Sequence, residues 1–285
     1  MNTPSVRDAV LRIRDLPTLP TVLGRILATA ADPDASALDL GKHIAADQSL
    51  SATLLKLVNS AYYGFYRQIA SISHAIVMLG FLEVRNLTLT ATAFRTLGIG
   101  NSEMDRTQLW RHSLGTAMAA ERLAKLLKLQ IEGTFESGLL HDMGKVALDM
   151  LYPDEFREAA HRAQSQGRYI TDTETEIFGM DHAEVGGILG EHWNLPPVVV
   201  EAIRYHHRPQ EASIEPALVQ IIALANFLTY QAGLGELSNG LPPVFPKEAA
   251  ESLGYDEAYG KDILEMLESN QEKIDEFVGA LKATA

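Results

Sequence analysis

The 285-residue sequence contains no cysteine. That single absence removes disulfides, thiolate nucleophiles and sulfur-built zinc sites, so any bound metal must rest on nitrogen and oxygen ligands. Basic charge is also in short supply: 24 Lys and Arg face 37 Asp and Glu, for a net charge of -13. Such a field repels phosphate backbones and disfavours direct nucleic-acid binding. The deficit is uneven, with nine basic against seven acidic residues in positions 1–100 and fifteen against thirty beyond, which leaves the N-terminal part as the exception. No run of about eighteen residues is apolar throughout. Nor does the chain open on a basic segment followed by an apolar stretch and a small-residue cleavage site. The expectation is a soluble, cytoplasmic protein with no membrane association.

What is present is ordinary globular material, 46% apolar and 21% charged, in a chain long enough for one large or two ordinary domains. Apolar residues recur at intervals of three and four almost throughout, and no stretch alternates in the way a half-buried strand does, so the predicted fold class is all-α. Helix punctuation supports this. Pro20 opens a helix over Thr21 to Ala30, Ser36 caps one through Ala46, Ser49 begins another, and Ser71 or Ser73 caps the run ending at Gly80. A long helix then reaches Leu97. The GIGNSEMD segment interrupts the periodicity and reads as a joint between two packed halves. From Arg106 a helix runs to about Leu127, followed by helices near 132–151, 154–166, 171–178, 182–193, 197–207 and 216–232. A glycine- and proline-rich loop precedes an acidic helical tail from Lys247. The predicted organisation is an N-terminal helical bundle over 1–104, a second bundle over 105–232 on which it packs, and the loop and tail over 233–285.

Seven of the nine histidines lie between positions 112 and 207. They occur in WRHS at His112, GLLHDMGK at His141 with Asp142, MDHAEVG at His182, and YHHRP at His206 and His207. A lone helical histidine says little, but here several point inward. Leu109, His112, Thr116, Ala119 and Leu123 share one helical face, and His206 follows Val199, Ala202 and Ile203 on an apolar stripe. Several buried imidazoles are costly unless each finds a partner, and a shared cation is one solution. Adjacent His141 and Asp142 on a helix would point about 100° apart, which suits a metal held beside that helix. Lys145, four residues after His141, reads either as a contact to a metal-bound phosphate or as a solvated charge. His43, His74, His161 and His192 carry no assigned role. Trp193 reads as core, and Tyr62, Tyr63, Phe65 and Tyr66 read as a plug between the halves.

Together these strings resemble the HD superfamily of metal-dependent phosphohydrolases. LPTLPTVLGRIL, DQSLSATLLKLVNSAYYGF, ISHAIVMLG and VRNL resemble more closely its HDOD branch, over roughly residues 15 to 230. The resemblance implies metal positions at His112, His141, Asp142, His182, His206 and His207. Two divalent metals are implied, with Asp142 bridging them, and iron or manganese suit the donor set better than zinc. Asp142 and Lys145 are the implied catalytic residues. In an active relative the metals would make hydroxide available and orient a phosphoester for in-line attack. Two departures matter. Asn226 stands as a neutral and weaker metal ligand where active relatives carry a closing aspartate. HHRPQEA lacks the glycine-tyrosine-proline signature of the cyclic-dinucleotide phosphodiesterases. The expected function is a bacterial signalling or regulatory module with little or no catalysis and an unidentified protein partner. The alternative is a phosphohydrolase acting on a nucleotide or related phosphoester.

Overall fold

The structure is a computed structural model that describes residues 37–60, 63–98, 106–234 and 240–283. Among these residues it is helical throughout and contains no strand, as the spacing of apolar residues predicts. The predicted helix over Thr21 to Ala30, the Ser36 cap, Tyr62 and most of the GIGNSEMD joint lie outside the described residues. Two compact units emerge. One gathers the described residues up to Gly98 together with 270–283, and the other holds those between 106 and 269.

In the first unit, α1 (Ala37–Ala45), α2 (Gln48–Val58), α3 (Ile72–Leu79) and α4 (Phe81–Leu97) pack pairwise. Asp47 caps α2 by accepting the Leu50 N–H at 2.9 Å, and Ser71 caps α3 through His74 N–H. The core is built from Leu40, Ile44, Leu54, Leu57, Val84 and Phe94. Thr88, Thr90 and Thr92 are buried on α4, and each hydroxyl donates to the carbonyl four residues back, which satisfies polar groups that would otherwise be costly in a core. Of the aromatic cluster, Tyr63 and Phe65 stack with centroids 6.3 Å apart. Tyr66 stands fully exposed, so it does not plug the core of its own unit.

The second unit carries the candidate chemistry. Its helices are α5 (Arg106–Leu126), α6 (Thr134–Leu140), α7 (Met143–Leu151), α8 (Pro153–Gln166), α9 (Ile170–Phe178), α10 (His182–His192), α11 (Pro197–Tyr205), α12 (Pro216–Thr229) and α13 (Lys247–Leu253), followed by the start of α14 (Glu257–Lys282). α5 lies along α6 and α12, while α10 packs against α7 and α11. Arg106 and Asp149 form a buried ion pair that fastens the start of α5 to α7. The stretch Pro216–Leu234 is long and apolar enough by composition to cross a bilayer, yet 67% of its most apolar window is buried inside this unit. It is the unit's central core helix.

One expectation is corrected. His141 and Asp142 do not ride on a continuous helix. They form the turn between α6 and α7, where His141 ends one helix and Asp142 begins the next. The break lets both side chains face the same interior point instead of diverging by 100°. It is coupled to a close crossing at Gly144, where a Cβ would overlap the His182 carbonyl oxygen and come within 2.7 Å of Gly186 N. Glycine at this crossing therefore sets the distance between Asp142 and His182.

Gly144→Ala should force α7 and α10 apart and destabilise the protein by about 1–3 kcal/mol. Gly279→Ala, on an open face of α14, should be neutral or stabilising by up to about 1 kcal/mol. Chemical denaturation midpoints of the two variants test this, and a Gly144→Ala midpoint equal to wild type would refute the tight-crossing argument.

Candidate metal centre

Five side chains from four parts of the second unit converge on the carboxylate of Asp142, which is 2% exposed. Oδ2 lies 3.4 Å from His141 Nε2, 3.8 Å from His112 Nε2 and 2.8 Å from Lys145 Nζ. Oδ1 lies 3.2 Å from His182 Nε2 and 3.8 Å from His206 Nε2. His207 Nε2 faces His182 Nε2 at 3.0 Å. The donors thus divide into two groups, His112 with His141 and Asp142, and His182 with His206 and His207, each spanning no more than 4.8 Å. Each oxygen of Asp142 faces a different group, so the one carboxylate stands beside both sets of donors.

Four of the five imidazoles are held by their far nitrogen. His141 Nδ1 donates to the Gly138 carbonyl at 2.8 Å, His206 Nδ1 to Ile203 at 2.7 Å and His112 Nδ1 to Leu234 at 3.1 Å. A carbonyl only accepts, so Nδ1 must carry the proton and Nε2 keeps its lone pair for the cavity. Burial pushes His112 and His141 down to about 4 and His206 down to about 3. All three are therefore neutral at pH 7. His141 Nε2 and His206 Nε2 are buried without a hydrogen-bond partner, which is costly in an apolar interior unless a cation takes the lone pair. Donors at 2.0–2.1 Å from one ion lie about 3.0–3.4 Å from each other. The separations of 3.0, 3.2 and 3.4 Å match that range and the two at 3.8 Å are slightly long. The residues therefore fit a divalent metal.

His182 behaves differently because of Glu174, a residue that spacing along the sequence does not single out. The buried Glu174 Oε2 accepts from His182 Nδ1 at 2.7 Å and from the His182 backbone N–H at 2.9 Å. Burial alone would lower the His182 pKa, but Glu174 and then Asp142 outweigh it and raise it to about 9. Without metal this ring is an imidazolium, so loading a metal here must release its Nε2 proton. Burial alone would likewise raise Asp142, but the Lys145 charge and the hydrogen bond and charge of His182 hold it well below the usual carboxylate range.

The chain places each donor by a local device. The irregular end of α12, over Tyr230–Leu234 with Gly233 at φ 76°, turns the Leu234 carbonyl onto His112. Glu201 accepts the N–H groups of Ser213, Ile214 and Glu215, which fixes the loop after His206 and His207. Asn226 on α12 lines the same cavity as His112. Lys145 is buried and bonded to Asp142, which excludes the solvated-charge reading. A cavity of about 490 Å³ opens above these groups, lined by His112, Asp142, Lys145, His182, His206, His207 and Asn226 on its floor. His207 is the least buried of the histidines.

Comparison with known proteins points the same way as the motifs. A sequence model of the HDOD domain matches residues 16–209. An uncharacterized protein of Treponema pallidum (strain Nichols) is 33% identical over 218 residues, which is 75% of this chain and 42% of that protein. The chain therefore spans less than half the length of that relative. An HDOD domain protein of Geobacter sulfurreducens has a similar structure, with a TM-score of 0.80 at 28% identity over 97% of this chain and 99% of its own. A candidate signal transduction protein of Marinobacter aquaeolei VT8 reaches a TM-score of 0.82 at 22% identity, over 97% of this chain and 64% of its own. That identity speaks for the fold alone.

Glu174→Gln removes the charge that fixes the His182 ring and should weaken metal binding by about 10- to 100-fold. Asp142→Ala should weaken it further, since it removes a donor from both groups. Metal content after dialysis against a graded chelator series checks both, and full retention in Asp142→Ala would exclude that carboxylate from the site.

Proposed function

The chain belongs to the HDOD family, and from that premise together with the geometry of its buried site we propose that it is a regulatory, signal-transducing module whose site holds two divalent cations and takes a phosphoester ligand with little turnover. The observation that carries this reading is the convergence of Nε2 atoms from His112, His141, His182 and His206 on both oxygens of one buried carboxylate. Iron or manganese suits the all-nitrogen-and-oxygen donor set, with zinc less specific. Bound there, such ions would supply Lewis acidity and lower the pKa of water.

The chain's own residues account for the rest. Lys145 keeps a positive charge at the floor, 2.8 Å from Asp142 Oδ2, where a phosphoryl oxygen would be drawn by charge-assisted hydrogen bonding. Glu174 fixes the His182 ring. Asn226 supplies a neutral amide where a carboxylate would add negative charge, so it can orient a ligand or His112 but contributes little to holding a cation. The signalling role extends the family reading, and a structural neighbour of the same fold is described as a candidate signal transduction protein. A second reading, a phosphohydrolase with substantial turnover, is favoured by the completeness of the histidine set and by Lys145.

Anaerobic purification followed by elemental analysis and a phosphoesterase panel at saturating manganese separates these readings. Asn226→Asp should raise metal retention by about ten-fold or more, since it exchanges a neutral oxygen for a charged one. A gain in metal without a gain in turnover supports the module. Two tightly held metals and brisk phosphoester hydrolysis in the wild type would replace it with the enzyme.

A further inference from the structure

Above its histidine floor the cavity has a second wall of different chemistry, supplied by residues beyond the 16–209 family match. The segment 240–249 lines it with Leu241, Pro243, Val244, Phe245 and Pro246, and then, at the start of α13, with the charged Lys247 and Glu248. It is fastened at both ends. Gly240 pairs antiparallel with Tyr169, and Leu241 N–H donates to the Arg168 carbonyl at 2.9 Å. Gly240 adopts φ +79°, and a Cβ there would overlap that same carbonyl, so glycine allows the strap to lie flat against the loop before α9. At the other end Lys247 N–H donates to the Phe245 carbonyl and opens α13, where Ala249 and Ala250 are buried. Phe245 sits against Phe227 at 5.3 Å and Tyr255 at 5.9 Å. Pro242, Pro243 and Pro246 each fix φ, so the strap is a stiff wall.

Its apolar side chains are nonetheless left open. Val244 is 69% exposed, Leu241 42% and Phe245 38%. Large exposed apolar side chains that line a cavity are characteristic of a ligand wall. The opposite side of the same cavity carries the metal donors and Lys145, and its size is that of a small-molecule site. The floor therefore suits a phosphoryl group and the 241–246 stretch an apolar ring or chain, with Lys247 and Glu248 bounding that stretch at α13.

We infer that the 241–246 strap is an apolar subsite, selecting ligands whose phosphoryl group lies over Asp142 and Lys145 and whose other end is an apolar ring. The inference rests on the phosphoester reading and adds what the ester must carry.

Isothermal titration of the metal-loaded full chain with phenylphosphonate and methylphosphonate tests it, because the two share a headgroup that is not hydrolysed and differ only in the ring. Phenylphosphonate should bind about ten-fold or more tightly. Val244→Ser should reduce that preference by about three-fold, and Val244→Ser with Phe245→Ala should reduce it to within about two-fold of parity. Metal content and methylphosphonate affinity should stay as in the wild type. Val244 is exposed and without a packing role, so its single variant keeps the test decisive if the double variant folds poorly. Equal binding of the two probes by the wild type, or a preference that survives Val244→Ser, overturns the subsite and leaves the phosphoester reading standing. Failure of both probes to bind protein that holds its metal overturns the phosphoester reading and this inference with it.

Discussion

The second unit is organised around one ionised carboxylate that has been taken out of water. A buried charge is tolerable only when it is paired and hydrogen-bonded, and removal of its partners would cost several kcal/mol (on the order of 3–5). Asp142 meets this condition with Lys145 on one oxygen and His182 on the other. Burial and Glu174 together give the site an asymmetric charge. Three of its histidines are neutral because burial dominates, while His182 alone is backed by a second carboxylate.

From this constraint much of the local architecture follows. A carboxylate can meet donors on both oxygens only if it leaves the helix axis, and the break between α6 and α7 gives Asp142 that freedom. The donors must then be brought from separate elements: His112 from the second turn of α5, His182 from the first turn of α10, and His206 and His207 from the end of α11. His112, His141, His182 and His206 arrive with fixed ring orientations because the Nδ1 of each is committed to a carbonyl or to Glu174. This is preorganisation by outer partners, and it means that the ring orientations do not depend on a bound ion.

The sequence revealed the fold class and the donor set for different reasons. Helical spacing is local and survives without any knowledge of packing, so α5, α8 and α10 fall within a residue or two of where their apolar stripes place them. The histidines and Asp142 were readable as types within a family pattern, and inward faces could be assigned from neighbours such as Leu109 and Leu123. Three features were hidden. The α6–α7 break has no proline at the turn, and the close approach of Gly144 beside it is to a helix some forty residues later. Glu174 lies in an acidic, polar helix, TDTETEIF, where nothing local distinguishes it from Asp172 or Glu176. The strap could be read as a loop from its prolines and glycine, but which side of the molecule that loop covers is a tertiary fact.

The floor and the strap consequently divide the work in the cavity. Floor residues lie on or beside packed helices, where a substitution disturbs the balance around Asp142 and is opposed by the whole core. Strap residues lie in a segment held mainly at its ends, at Gly240 and at α13, so Val244 and its exposed neighbours can vary in size and polarity without unsettling either anchor. A fold that keeps a metal-competent floor while leaving one wall to a tethered loop can change the body of its ligand and retain the same headgroup chemistry. With the strap as the inferred subsite, headgroup chemistry would follow from the floor residues and ligand preference from residues 240–249, past the matched domain.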